Sequence, residues 1–266
     1  MAKVRYLRLG AASALLLLLV SSCYYLQAPD VPMPARYYAK SNGYQGDDQP
    51  PAKHQRDLII MLPGMGDRID RFAKEGLIDQ LASADIPVDA VVVNAHFAYY
   101  RSRSFLQRLQ QDVLQRAAQA GYQRVHLAGV SLGGFGSLLY WRHNLDNPTP
   151  GLPIASALLL TPYVGEPEYY AHRVNLEQPP RLVMEEKNIW PWLDQLSRAQ
   201  SQHWYIGIAE QDAFYQGNQT FAQQLPKDHI FVTEGGHNWN SWRALWPQLL
   251  AQFKRDYFQS QEDESL

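Results

Sequence analysis

The chain has 266 residues, of which 46% are hydrophobic and 19% charged; that is apolar material for one sizeable core and excludes disorder throughout. Its 24 lysines and arginines stand against 26 acidic residues, a net −2. Without Lys3, Arg5 and Arg8 of a leader the balance is 21 against 26, or −5, which leaves no basic surplus to track a nucleic-acid backbone, and the one cysteine excludes both an internal disulfide framework and a multi-cysteine metal site.

Lys3, Arg5 and Arg8 precede an apolar run from Leu9 to Val20 that holds the consecutive leucines Leu15 to Leu19. This is a secretory n-region followed by an h-region, too short for the roughly 20 residues that a membrane-crossing helix needs. Residues 1–22 therefore read as a cleaved signal peptide. Val20-Ser21-Ser22-Cys23 then resembles the lipobox of bacterial lipoproteins: aliphatic, small, small, cysteine. The resemblance implies cleavage before Cys23, a diacylglyceryl group on its thiol and an often acylated amine, which together make a stable anchor in the cell envelope. Tyr24 at the next position, by resemblance to enterobacterial sorting, favours the periplasmic face of the outer membrane. An ordinary signal peptide with a coincidental cysteine is the competing reading; the position of the single cysteine speaks against it.

From Tyr24 to about Arg56 no periodicity is sustained, while Pro29, Pro32, Pro34, Pro50 and Pro51 recur with Gly43, Gly46 and the pair Asp47-Asp48. Residues 23–56 thus read as a lipidated cysteine and a flexible tether. Ala35 to Ala39, with two tyrosines, also fits an edge strand, and the sequence leaves that open.

Residues 57–258 alternate strand and helix patterns. Asp57 to Leu62 is a buried-strand run stopped by Pro63-Gly64, and Asp70 to Ala84 has apolar residues at near-helical spacing. Val88 to Val93 predicts a strand, Phe105 to Ala120 an amphipathic helix, Arg124 to Ala128 a strand and Leu132 to Trp141 a helix. Further strands are predicted at Ile154 to Leu160, Trp204 to Ala209 and Ile230 to Val232, and a long helix at Trp239 to Phe258, before a polar tail at 259–266. Such alternation predicts an α/β fold: a mostly parallel sheet with helices on both faces and sites outside the carboxyl ends of its strands. Trp239, Trp242, Trp246, Leu250 and Phe253 recur at helical spacing and read as core packing of the last helix.

The strand ending at Ala128 runs into Gly129-Val130-Ser131-Leu132-Gly133, which is G-x-S-x-G placed between strand and helix, the setting in which a serine is held exposed on a strained turn. A serine hydroxyl needs a histidine base and an acid to orient it. His126, His203 and His229 lie within or beside strands and read as core or edge histidines, and His143 reads as a helix C-terminal cap. His237 instead sits in Glu234-Gly235-Gly236-His237-Asn238-Trp239, a loop between the last strand and the last helix. Ala209-Glu210-Gln211-Asp212 closes the preceding strand; Asp212 is the preferred acid and Glu210 the alternative, since both project the same way from the strand end. A turn or N-cap aspartate is the plainer role for Asp212. The backbone amides of Leu132 and of Met65, in Leu62-Pro63-Gly64-Met65-Gly66-Asp67, are the candidate oxyanion donors. That loop misses a dinucleotide fingerprint, because Ile69 stands at its sixth position.

From about Asp57 to Phe258 the chain resembles the α/β-hydrolase superfamily, through its P-G-M-G loop, G-V-S-L-G elbow, A-E-Q-D acid turn and G-G-H-N-W histidine loop in that order. The resemblance implies Ser131 as nucleophile, His237 as general base and acid, Asp212 as orienting carboxylate, and no metal or organic cofactor. Pro63 departs from the commoner histidine-glycine start of the oxyanion loop. It also implies an acyl-transfer hydrolase, with carboxylic esters first and thioesters, amides and peptides open. A non-catalytic envelope lipoprotein that keeps the fold as a binding module is the alternative. Residues 161–201 are the natural cap, with Tyr163, Tyr169, Tyr170, Trp190 and Trp192 as an aromatic lid suited to acyl esters or, equally, as packed core. His96, Tyr99 and Tyr100 follow the second predicted strand and either face the pocket or pack the loop.

Overall fold

Runs of apolar residues without alternation demand burial on both faces, and four of the strands meet that demand along their whole length. The computed structural model describes residues 28–51, 56–171, 188–196 and 201–259. Its strands are β1 (Ala35–Tyr38), β2 (Gly46–Asp47), β3 (Asp57–Leu62), β4 (Val88–Val93), β5 (Val125–Val130), β6 (Ile154–Leu160), β7 (Trp204–Ala209) and β8 (Ile230–Thr233). They form one sheet in the order β2-β1-β4-β3-β5-β6-β7-β8. Pairing is parallel from β4 through β8 and antiparallel at β1 and β2. Every residue of β3, β4, β5 and β7 is buried.

Alternation along each strand divides the core in two. Leu58, Ile60, Val91, Leu127 and Leu159 face one side, and Ile59, Met61, Val92, Ala128 and Leu158 face the other. The second face is covered by α1 (Leu77–Ala84) and the long C-terminal helix, whose Trp242, Leu245, Trp246, Leu249 and Phe253 are buried there. The first face is covered by the rod Phe105–Leu109, Gln110–Leu114 and Gln115–Ala120, which contains a π turn, and by α2 (Leu132–Asp146). Next come α3 (Tyr215–Ala222) and α4 (Trp239–Lys254).

The helix predicted over Asp70 to Ala84 is two helices, Arg71–Lys74 and α1, separated where Gly76 takes φ 78°. The terminal helix is regular to Lys254 and continues as a π turn, Arg255–Gln259. The tether reading is corrected for the described residues of 23–56. β1 pairs antiparallel with β4, Tyr37 opposite Val91 and Tyr38 opposite Ala90, and both tyrosine side chains are buried. Beyond it the Lys40 amide donates to Asp89 Oδ1 (2.8 Å) and the Tyr44 hydroxyl to the Val88 carbonyl (2.7 Å). A four-residue strand gives too short a pattern to stand out, and Pro34 lies just before it, where a missing N–H costs no ladder bond. Residues 1–22, Cys23, most of the 161–201 segment after Ala171 and the tail from 260 lie outside the described residues, apart from 188–196 and Ser201. No described helix is long and apolar enough to cross a membrane.

Candidate active site

Parallel order places the carboxyl ends of β5, β6 and β7 side by side, so the loops that follow them meet although they are far apart in sequence. At the end of β5, Ser131 has φ 55° and ψ −115°, a strained conformation of the sort that costs on the order of 1–3 kcal/mol. The turn closes only because its flanks lack side chains. A Cβ on Gly129 would lie 2.2 Å from the Gly133 carbonyl oxygen, and one on Gly133 would lie 2.0 Å from that of Leu62. The Ser131 amide donates to the Leu160 carbonyl (3.0 Å), and the Ser131 carbonyl accepts from Tyr163 (3.0 Å), which fixes the elbow against the end of β6.

The acid and histidine loops are tied to each other in the same manner. The Gln211 amide donates to the Gly235 carbonyl (2.8 Å), and the Gly235 amide donates to the Gln211 side chain, extending the β7–β8 ladder past the strands. Asn238 caps α4, its side chain accepting from Asn240 (3.0 Å) and Ser241 (3.3 Å), so the residue before it is held at the helix entrance. That residue is His237. Its Nδ1 lies 2.7 Å from Asp212 Oδ2 and its Nε2 lies 2.7 Å from Ser131 Oγ. The other oxygen of buried Asp212 accepts from the Phe214 amide at 2.7 Å. A carboxylate only accepts, so it holds the imidazole proton on Nδ1 and leaves the Nε2 lone pair facing the serine hydroxyl. Glu210, the alternative acid, is exposed at the end of β7.

The loop after β3 lies directly against the elbow, with the Cβ position of Gly64 only 3.7 Å from Ser131 Cβ. Its turn is closed by the Asp67 amide donating to the Gly64 carbonyl (3.2 Å). Burial raises the Asp67 carboxyl pKa, opposed by nearby Arg71 and by a hydrogen bond from the Trp239 side chain. Met65 leads this loop outward and its side chain is exposed, while Leu132 opens α2, where first-turn amides have no helical acceptor. Leu132 follows Ser131 in the chain and Met65 follows Gly64, the residue of this loop that lies against the serine.

A series of three aromatic rings ends on the histidine. Phe135 and Tyr163 meet at 5.7 Å, Tyr163 and Phe214 at 5.4 Å, and Phe214 stands edge-on to His237 at 4.8 Å. Phe135 and Phe214 carried no signal in the sequence, because a lone aromatic on a helix or after an acid turn reads as packing. Thr161 also escaped notice; its place beneath His237 follows from strand order alone.

The remaining residues singled out from sequence are elsewhere. Tyr99 is buried and its hydroxyl donates to the Asp30 carbonyl (2.9 Å), while His96 packs on the Tyr99 ring at 4.7 Å and faces Asp30. Tyr100 stacks on Phe105 at 4.5 Å. The Trp190 indole donates to the Val164 carbonyl (2.8 Å), and Trp192 packs against Trp204 at 5.9 Å. These five make packing contacts of the kind that was the alternative reading for them, and none of those contacts reaches Ser131, His237 or Asp212. A cavity of about 1360 Å³ lies apart from that line, bordered by Leu193, Leu196, Gln219, Leu225, Ile230 and Val232. Among the described residues no group of histidine, cysteine, aspartate and glutamate side chains is arranged to hold a metal ion.

The sheet order, the strand-turn-helix elbow and the loop order together define the α/β-hydrolase fold, and this chain has it. Solved structures agree. An S-formylglutathione hydrolase from Staphylococcus aureus superposes with a TM-score of 0.54 at 14% identity, covering 85% of this chain and 98% of that one. Est1E from Butyrivibrio proteoclasticus, with ferulic acid bound, gives 0.54 at 15% identity over 83% of this chain and 93% of that one. An arylesterase gives 0.52 at 14% identity over 86% and 82%. No protein-family model and no curated protein sequence matches the chain.

Proposed function

We propose that the chain is a serine hydrolase that cleaves carboxylic esters through an acyl-enzyme. The observation that carries this reading is the line from Ser131 Oγ to His237 Nε2 and from His237 Nδ1 to Asp212, each contact 2.7 Å. Ser131 Oγ attacks the ester carbonyl carbon as its proton passes to His237 Nε2, and the carbonyl oxygen becomes an oxyanion between the Leu132 and Met65 amides. The carbon–oxygen bond to the alcohol then breaks, the alcohol takes the proton from His237, and the acyl group stays on Ser131. Water attacks that acyl group, His237 takes the water proton and returns it to Ser131 Oγ, and the carboxylic acid leaves.

Support also comes from the structural neighbours, which include an S-formylglutathione hydrolase, an arylesterase and a ferulic acid-binding protein, Est1E. The aromatic wall of Phe135, Tyr163 and Phe214 favours an apolar group next to the reacting carbon. The leader sequence supports a further part of the reading: the mature protein begins at Cys23, is anchored by lipid in a bacterial envelope, and faces the periplasm from the outer membrane. The test is hydrolysis of acyl esters graded by chain length, with thioester and amide analogues alongside. Ester turnover that disappears in Ser131→Ala supports the proposal; absence of turnover and of fluorophosphonate labelling in the intact protein favours a binding module instead.

A further inference from the structure

Between the strand that ends in the nucleophile and the strand that ends in the acid lies β6, and the first residue beyond it is Thr161. Thr161 is fully buried, and its backbone has φ 37°, a region that a β-branched residue occupies only under strain. Two neighbours hold it there. Its amide donates to the Gly207 carbonyl of β7 (2.8 Å), while Ser131 on the other side is bonded to Leu160 and Tyr163. The conformation aims the hydroxyl at the histidine: Thr161 Oγ1 lies 3.2 Å from His237 Nδ1 and accepts from the Trp242 indole N–H at 2.8 Å. The Trp242 ring also stands perpendicular to the His237 ring at 5.1 Å.

We propose that Thr161 is a positioning residue for His237, its oxygen serving as a second acceptor for the Nδ1 proton and the Trp242 indole holding that oxygen in place. The proposal rests on the serine-hydrolase reading of the site. A hydroxyl oxygen has two lone pairs. One takes the Trp242 proton, which leaves the other for His237, so the Nδ1 proton is shared between Asp212 at 2.7 Å and Thr161 at 3.2 Å. Two acceptors on one N–H fix the plane of the ring as well as its tautomer, and they face the imidazolium when Nε2 is protonated. Strain in Thr161 is thereby converted into a single orientation of the base.

Thr161→Val removes the hydroxyl at nearly constant shape, and Thr161→Ala does so without a β-branch should the valine variant fold poorly. Either should lower kcat about tenfold, the scale of one lost hydrogen bond, with KM within about twofold. Thr161→Ser should restore kcat to within about twofold of the parent, since the oxygen returns. A bland role, satisfying the buried Trp242 indole, is separated by repeating Thr161→Ala in a Trp242→Phe background: loss of kcat there supports positioning, and no further loss overturns it. Imidazole ¹⁵N resonances of His237 give a readout independent of turnover. One Nδ1–H tautomer in the parent and Thr161→Ser, with a second population in Thr161→Ala, supports the proposal; identical spectra in all three overturn it. Should Ser131→Ala keep full turnover, the hydrolase reading fails, and the ¹⁵N comparison still decides what Thr161 does to His237.

Discussion

Replacing Asp212 by asparagine changes one oxygen to an amino group, and the surroundings dictate which one. Oδ1 accepts from the Phe214 amide at 2.7 Å, and a peptide N–H only donates, so the asparagine oxygen must remain there. The amino group then faces His237 Nδ1, across the contact that measures 2.7 Å with the carboxylate. A donor in that place requires a lone pair on Nδ1, which moves the imidazole proton to Nε2. There it faces Ser131 Oγ and the ring cannot take the serine proton. A triad locked in the wrong tautomer loses about 10⁴ in kcat, or roughly 5.5 kcal/mol of barrier at about 1.36 kcal/mol per decade. Turnover of a short-chain ester between pH 6 and 9, with the rate of fluorophosphonate labelling measured in parallel, provides the assay. Glu210→Gln is the matched control and should stay within about twofold, because Glu210 points to solvent. An Asp212→Asn enzyme within tenfold of the parent, or a Glu210→Gln enzyme that loses activity, would refute the reasoning.

The elbow predicts a steric result: Gly133→Ala places a Cβ 2.0 Å from the Leu62 carbonyl oxygen, so it should cost about 3 kcal/mol or more, read as a drop in thermal midpoint. Deleting the chain through residue 47 strips β1 with its buried tyrosines from the sheet edge and should lower the urea midpoint; an unchanged midpoint would return that segment to a tether. Burial lowers the pKa of His126, which lies between Ser156 Oγ (2.8 Å) and Asp57 (3.2 Å) under Phe253, so the folded chain resists a proton that the unfolded chain accepts near pH 6.5. Stability attributable to this site is therefore complete above about pH 6.5 and falls as pH drops through that value; a His126→Gln variant should show a flatter dependence of urea midpoint on pH, and parallel curves would contradict this. Cys23→Ser should move the protein from the membrane fraction to the soluble one without detergent, and retention on membranes would place the attachment elsewhere.

The buried strands were legible because fully parallel strands leave unalternating runs such as Asp57–Leu62 and Val88–Val93, and the elbow was legible because its two glycines are sterically required. His237 stood out among eight histidines by lying in a glycine loop between strand and helix. What escaped has a common cause, in that it depends on which strands are neighbours. Thr161 meets His237 because β6 lies between β5 and β7, a fact of sheet order that the local sequence does not encode. Phe135 and Phe214 form one wall only through Tyr163, which comes from a third loop. Tyr99 is buried with its hydroxyl on the Asp30 carbonyl, and Asp30 belongs to the stretch that composition marked as a tether. Alternation had left Glu210 and Asp212 equivalent; the histidine loop, tied to Gln211 at Gly235, meets the second of them.

The central claim is that Ser131 carries the acyl group during turnover. Rapid quenching of the enzyme with an activated short-chain ester, followed by intact-mass measurement and peptide mapping, tests it directly. The account predicts a transient mass increase equal to one acyl group, mapped to the peptide containing Ser131, formed in a burst and absent from Ser131→Ala. An acyl group on another residue, or ester turnover by Ser131→Ala at the parent rate, would contradict it.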